Sequence, residues 1–143
     1  MVIRTYQPRD QDAVIELWGR CGLLAPQNNP VADIQRKLAD SPELFLVGVM
    51  EAGIVATVMA GYEGHRGWIN YLAVAPHLQK GGHGRRIMER AEELLCELGC
   101  PKINLQVRST NTRVIEFYER LGFSCDPVTS MGKRLIVDEP LER

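Results

Sequence analysis

Residues 74–90 read Val74-Ala-Pro-His-Leu-Gln-Lys-Gly-Gly-His-Gly-Arg-Arg-Ile-Met-Glu-Arg90. The run before them, Trp68 to Val74, is apolar and strand-like, and Pro76 ends it. Gly81, Gly82 and Gly84 follow, and a helical pattern then begins without a break. A strand, a glycine turn and a helix in succession aim several backbone N–H groups at one point. Glycine lets the backbone approach a ligand closely. The start of a helix adds partial positive charge, so the segment suits an anion such as a phosphate. Arg85 and Arg86 fall in the first turn of this helix, with Lys80 just ahead. Cations there oppose the helix dipole at a cost of a few tenths of a kcal/mol, which a bound anion would offset. The plainer alternative is a glycine-rich turn with solvated arginines at its exit.

Two nucleotide motifs do not fit. A P-loop needs Ser or Thr after its Gly-Lys, and no such residue follows Lys80. A Rossmann fingerprint needs a third glycine, but Gly82-His83-Gly84 runs on into Arg85, Arg86 and Ile87. The stretch instead resembles the acetyl-CoA-binding segment of the GNAT superfamily of N-acetyltransferases. There a strand ending Val-x-Pro leads into Arg/Gln-x-x-Gly-x-Gly/Ala and a helix, and Gln79-Lys80-Gly81-Gly82-His83-Gly84 matches that pattern. Many members carry Gly at the position of Lys80 and an aliphatic residue at that of His83.

Working outward, Val2 to Tyr6 is a short β-prone run. Asp10 can cap a helix carrying Val14, Leu17, Trp18 and Cys21 at helical spacing, which Gly22 ends. A loop, Ala25 to Pro30, precedes a second helix of about Val31 to Ala39. Leu44 to Met50 and Ile54 to Tyr62 form a hairpin around Glu51-Ala-Gly53, and Glu63 to Gly67 turns into the strand before the glycine loop. After that loop, Ile87, Met88, Ala91, Leu94, Leu95 and Leu98 mark one helical face; Gly99 and Pro101 stop the helix. Lys102 to Val107 is strand-like, and the strand–helix–strand order predicts a parallel crossover beside Trp68–Val74. Ser109, Thr110 and Asn111 are capping types ahead of a last helix with Val114, Phe117, Tyr118 and Leu121. A β-prone stretch, Val128 to Val137, and a polar, frayed end, Asp138 to Arg143, complete the reading.

Asn111 to Phe123 also resembles the second GNAT signature, Asn-x(5)-Phe/Leu-Tyr-x-x-x-Gly-Phe, in the expected order and distance. Both motifs and the element order together cover nearly the whole chain. The end, Met131 to Ile136, with Gly99 to Ile103, further resembles a bacterial subgroup, the YpeA type. The resemblance implies a single domain over 1–143 of α+β (mixed α/β) class. Its centre is a mostly antiparallel mixed sheet flanked by about four helices, with a splayed parallel strand pair.

The implied reaction is acetyl transfer from acetyl-CoA to a primary amine: a small molecule, a peptide N-terminus or a lysine. By resemblance, the pantetheine arm lies along Leu72, Ala73 and Val74. The pyrophosphate sits on Gln79, Lys80, Gly81, Gly82, His83, Gly84 and Arg85. A peptide N–H near Leu72 or Ala73 supports the oxyanion. Asn111 bonds the pantetheine arm or caps its helix, and Tyr118 protonates the departing thiolate or packs as an aromatic. Some relatives carry a glutamate base in a Leu-Glu-Val-Arg stretch, but this chain has Leu105-Gln-Val-Arg108, and Gln106 cannot take a proton. The substitutes are Glu63 and His65 in their turn, or Tyr71 through water; an α-amine of pKa about 8 needs little help. The first two helices, in the family pattern, wall the acceptor pocket. There Asn28, Asn29 and Arg36 read as a solvated loop and helix face. The departure at Gln106 keeps open a second reading, a catalytically inactive CoA-binding module acting as a sensor or partner protein.

Composition excludes several classes. A net charge of −1 gives no support for nucleic-acid binding. No apolar run approaches the roughly 20 residues of a membrane span, and the start of the chain lacks a signal-peptide layout. Cys21, Cys96, Cys100 and Cys125 form no Cys-x-x-Cys pair, so no metal site is expected and free thiols are. The expectation is a cytoplasmic protein without nucleic-acid or membrane partners. A homodimer, common in the family, stays open.

Overall fold

A computed structural model describes residues 1–141. The chain divides into two compact units, one running from Met1 to Asn104 and resuming at Asp138, the other spanning Leu105–Val137.

The first unit holds a five-stranded sheet in the order β1 (Val2–Thr5), β2 (Phe45–Met50), β3 (Gly53–Tyr62), β4 (Gly67–Val74), β5 (Ile103–Asn104). Neighbours pair antiparallel except β4 and β5, which are parallel. Three helices belong to it: α1 (Gln11–Arg20), α2 (Pro30–Asp40) and α3 (His83–Glu97). Strands β2 and β3 each hold a run of consecutive buried residues, Phe45 to Gly48 and Val55 to Ala60, which requires cover on both faces. On one side Val14, Leu17 and Trp18 of α1 and Ile34 of α2 pack with Phe45, Val47, Val55, Met59 and Ala73. Strand residues of the other parity, Leu46, Val58, Ala60 and Ile69, are also buried, as are Ile87, Met88, Ala91 and Leu95 of α3. That helix packs on β2, β3 and β4.

An aromatic stack crosses the core. Tyr6 lies 4.4 Å from Phe45, Phe45 6.2 Å from Trp18, and Trp18 3.8 Å from Tyr71, measured between ring centroids and with interplanar angles of 19° or less. Each pair adds about 0.5–1.5 kcal/mol beyond simple burial. The stack therefore ties β1 to the middle of β4 through α1.

Asp10 does not cap α1 with its side chain. Its carboxylate instead receives Arg4 at 2.7 and 3.0 Å and the Gln7 N–H at 2.8 Å, closing the turn between β1 and α1. The Arg4 hydrogen bond is the main reason its acid dissociation is held below the usual carboxylate range, against the opposing pull of burial. A depressed folded-state pKa contributes stability above the unfolded value of about 3.9, lost as pH falls through the folded value. Asp10→Asn is therefore expected to cost about 2–3 kcal/mol at pH 7. Its penalty shrinks as pH falls below about 4, where the unfolded carboxylate protonates, and disappears below the depressed folded-state value; urea titrations at pH 7 and pH 3 check this.

Three expectations need correction. The strand-like run Lys102 to Val107 reduces to Ile103–Asn104, paired with Gly67 and Trp68 only. The polar end is not frayed at its start. Asp138 accepts both guanidinium nitrogens of Arg36 at 2.9 and 2.5 Å, and the Asn29 amide donates to the Glu139 carbonyl at 2.8 Å. Arg36, still half exposed as a solvated helix face is, and Asn29 thus anchor this segment, while Asn29 also caps α2 through Val31 and Ala32 N–H. Glu142 and Arg143 of that expectation lie outside the described residues.

The second unit contains α4 (Thr112–Arg120). Tyr118 is buried there, edge-on to Phe117 at 5.2 Å and Phe123 at 5.5 Å. The β-prone stretch Val128 to Val137 forms no strand; Val128, Met131, Leu135 and Val137 are each more than three-quarters exposed. Branched side chains favour a strand only when a partner ladder and a covering face exist.

Candidate active site

The site in the first unit is built from one bulge and one turn. Along β3 and β4, Met59 pairs with Asn70 but Thr57 pairs with Ala73. Val58 therefore faces two residues, Tyr71 and Leu72, the two-against-one count of a β-bulge. Tyr71 takes a left-handed backbone, φ 51°, which costs a tyrosine about 1–2 kcal/mol. Three contacts hold it there. Its carbonyl accepts the buried Thr57 hydroxyl at 2.8 Å, its ring stacks on Trp18, and its hydroxyl donates to Asp33 at 2.6 Å. Trp18 locks the arrangement by donating its indole N–H to Thr57 Oγ1 at 2.9 Å.

Beyond the bulge the parallel ladder to β5 has already stopped at Trp68. From Ile69 to Val74 that side of β4 has no strand partner among the described residues. Its backbone groups are thus available to a ligand that pairs as a strand would. Leu72 and Val74 are half-buried and Ala73 is buried. The Val74 carbonyl accepts the Cys21 thiol at 3.2 Å and the Gln79 amide at 3.1 Å, so the glycine loop is stitched to the strand end.

The loop then turns through Lys80 at φ 70° and Gly82 at φ 84°. A Cβ at Gly81 would sit 3.2 Å from the Leu78 carbonyl oxygen, so a side chain there would crowd the loop backbone. A Cβ at Gly82 would meet nothing within 4 Å, and that face is open. Gly82 is the N-cap of α3 and offers no side-chain cap. The first intrahelical bond runs from Arg86 N–H to the Gly82 carbonyl. The N–H groups of His83 and Gly84 precede it and have no partner within the helix. The first turn holds no acid, and the Nδ1 of His83 is buried without a hydrogen-bond partner. Uncapped N–H groups, an open face and nearby cations fit a polyanion such as a pyrophosphate. Lys80 and Arg85 are exposed, and Arg85 reaches Glu89 at 3.9 Å.

The remaining candidates belong to other segments of the chain. Asn111, exposed at the N-cap of α4, accepts the Val114 N–H at 3.4 Å. It shares the second unit with Tyr118, whose hydroxyl burial pushes up to about 12. The Glu63 carboxylate is engaged by the backbone of its own turn. Its carboxylate accepts the backbone N–H of both Arg66 and His65, and these bonds, Arg66 first, hold its pKa below the usual carboxylate range. A depressed pKa makes a weaker base. Gln106 is exposed and bonds Ser130. No local signal in the sequence announces the left-handed Tyr71 or its pairing with Asp33, 38 residues away. Among the described residues, no group of His, Cys, Asp and Glu is arranged to hold a metal ion, and no helix is long and apolar enough to cross a membrane.

Known proteins share both sequence and architecture with this chain. The model of the acetyltransferase (GNAT) family matches residues 10–123. An acetyltransferase of Yersinia enterocolitica is 46% identical over 139 residues, 97% of this chain and 99% of that protein. A Yersinia pestis relative, equally similar over the same shares, is described as an uncharacterized N-acetyltransferase. Among solved structures, Ard1 from Thermoplasma volcanium aligns with a TM-score of 0.74 and 24% identity, covering 86% of this chain and 82% of its own. An aminoglycoside antibiotic 6′-N-acetyltransferase from Acinetobacter haemolyticus gives 0.74 and 17% over 95% of this chain and all of its own. At those identities the structural matches speak to fold. With the motif pair, the mixed sheet and a relative matched end to end, this chain belongs to the GNAT family and is an N-acetyltransferase.

Proposed function

We propose that the protein transfers the acetyl group of acetyl-CoA to a primary amine, carried by a small molecule, a peptide N-terminus or a lysine. The observation that carries this reading is the uncapped start of α3 behind the open face of Gly82. The pyrophosphate is assigned to the N–H groups of Gly82 to Arg85, with Lys80 and Arg85 supplying charge. Pantetheine is assigned to the unpartnered side of β4 at Leu72 and Val74. At the bulge, the peptide N–H of Leu72 or Ala73 is assigned to the thioester oxygen, where a preorganised donor is worth about 3–4 kcal/mol in the transition state. Asn111 and Tyr118 are assigned to the acyl end, Tyr118 as the acid for the departing thiolate. Acetyl-CoA supplies the activated acyl carbon.

Acetyl transfer is tested by following CoA release with acetyl-CoA and a panel of amines: alkylamines, polyamines, free-N-terminus peptides and lysine side chains. Amine-dependent CoA release is expected for at least one class. Tight acetyl-CoA binding without release for any class would replace the transferase reading with that of a binding module.

A further inference from the structure

We infer that Tyr71 and Asp33 form the proton relay that converts the acceptor's ammonium group to the attacking amine. The inference rests on the proposed placement of the thioester at the β4 bulge.

Tyr71 is the residue whose backbone makes that bulge, so its side chain is fixed relative to the N–H assigned to the oxyanion. Its phenol leaves the strand toward α2 and ends 2.6 Å from Asp33 Oδ2. The pair is not sealed: Tyr71 is half-buried and the Asp33 side chain keeps 27% of its surface exposed. The other Asp33 oxygen receives only a long 3.4 Å contact from Arg36, whose guanidinium is held by Asp138 in two shorter bonds. The Asp33 carboxylate thus stands beside the bulge with part of its surface exposed. A cationic acceptor is drawn to such a place.

The other charged or titratable groups around the pair point elsewhere. Lys37 of α2 donates to Ser41 and to the Ala60 carbonyl, and Cys21 at the end of α1 donates to Val74. β3 presents the uncharged Thr57. Burial first, and then the Asp33 hydrogen bond, raise the Tyr71 pKa well above that of a free phenol. The hydroxyl is thus neutral at working pH, and a neutral hydroxyl bonded to a carboxylate passes a proton by accepting one and releasing its own.

The step balances. One N–H bond of the ammonium breaks and its proton joins the Tyr71 oxygen. The Tyr71 O–H bond breaks and that proton joins Asp33. The freed lone pair forms the C–N bond at the thioester carbon, and the C–S bond then breaks. The thiolate takes the Tyr118 proton, and the proton shed by the new amide nitrogen restores Tyr118 through solvent. Asp33 releases its proton to water. Tyr71 touches the acceptor and is catalytic in this scheme; Asp33 acts through it.

The probe is n-butylamine, which, like a lysine side chain of pKa about 10.4, is almost wholly an ammonium ion at pH 7. CoA release is measured between pH 7 and pH 9.5 for wild type, Tyr71→Phe, Asp33→Asn and the double variant. Acetyl-CoA binding and thermal stability are measured in parallel. Tyr71→Phe keeps the ring stack. At pH 7 each single variant is expected to lose about 100-fold in kcat/KM for butylamine, with acetyl-CoA affinity unchanged within about threefold. The deficit narrows as pH rises and solution deprotonates the amine. The double variant is no slower than the slower single one, because the two residues act as a unit. Deficits that stay constant with pH, that multiply in the double variant, or that fall below twofold would overturn the relay while leaving acetyl transfer intact. Wild-type protein that binds acetyl-CoA but transfers nothing to any amine class of the panel sinks the transfer reading and the relay with it; where only another class is accepted, the same four proteins are compared with that amine, and the same outcomes decide.

Discussion

Replacing Tyr118 by phenylalanine leaves the protein folded and acetyl-CoA affinity unchanged, and slows acetyl transfer by about 10²–10³-fold in kcat. The substitution removes one oxygen from a ring whose packing is supplied by Phe117 and Phe123, so the aromatic cluster survives. What is lost is the proton for the thiolate. Burial raises the Tyr118 hydroxyl to about 12. A raised pKa keeps the acid form fully populated from pH 6 to pH 10. It also makes the transfer to a thiol of pKa about 8.5 uphill, on the order of 5 kcal/mol. A thiolate leaving into the same apolar surroundings is itself a stronger base, which offsets part of this. The wild-type rate is therefore expected to show no alkaline fall near pH 10 on account of this group. Such a fall would place the hydroxyl in water. A Tyr118→Phe variant within threefold of wild type would make Tyr118 a packing residue.

Gly82→Trp is expected to weaken acetyl-CoA binding by at least about 100-fold while the fold persists. A side chain at Gly82 meets nothing of the protein, so the indole points into the open face assigned to the pyrophosphate. The cost to the fold is backbone strain alone, about 1–2 kcal/mol for a side chain at φ 84°. That lowers the melting temperature by a few degrees. Gly82→Ala carries the same strain without the bulk, so it is expected to lose stability by a similar amount but affinity far less. Calorimetric titration of the two variants separates strain from occupation. Equal affinity in Gly82→Trp and wild type would remove the pyrophosphate from this turn.

What the sequence revealed was what it encodes locally. The glycine loop, the strand before it and the helix after it are legible because the chemistry of the turn sits within about ten consecutive residues, with glycines where the backbone bends most tightly. The hairpin around Glu51 to Gly53 and the amphipathic α3 were legible for the same reason. The misread segments depend on distant partners. Val128 to Val137 has strand-forming side chains and no ladder. Lys102 to Val107 keeps only the two residues that find β4. Asp138 looked like part of a frayed end because Arg36 lies 102 positions earlier. In the site, the glycine turn and the start of the helix after it could be located from their spacing, whereas the left-handed Tyr71 could not. A tyrosine in a strand carries no mark of positive φ; Trp18, Thr57 and Asp33, on three different elements, impose it.

The central claim is that the β4 edge and the glycine loop form an acetyl-CoA site, and a thermal-shift titration with acetyl-CoA, CoA and ATP tests it most directly. A ligand at a hundredfold excess over its dissociation constant adds about 2.7 kcal/mol of stability. The account predicts that acetyl-CoA and CoA raise the melting temperature by several degrees in a concentration-dependent way and that ATP does so far less, because ATP lacks the arm assigned to β4. No shift at saturating acetyl-CoA, or an equal shift with ATP, would contradict it.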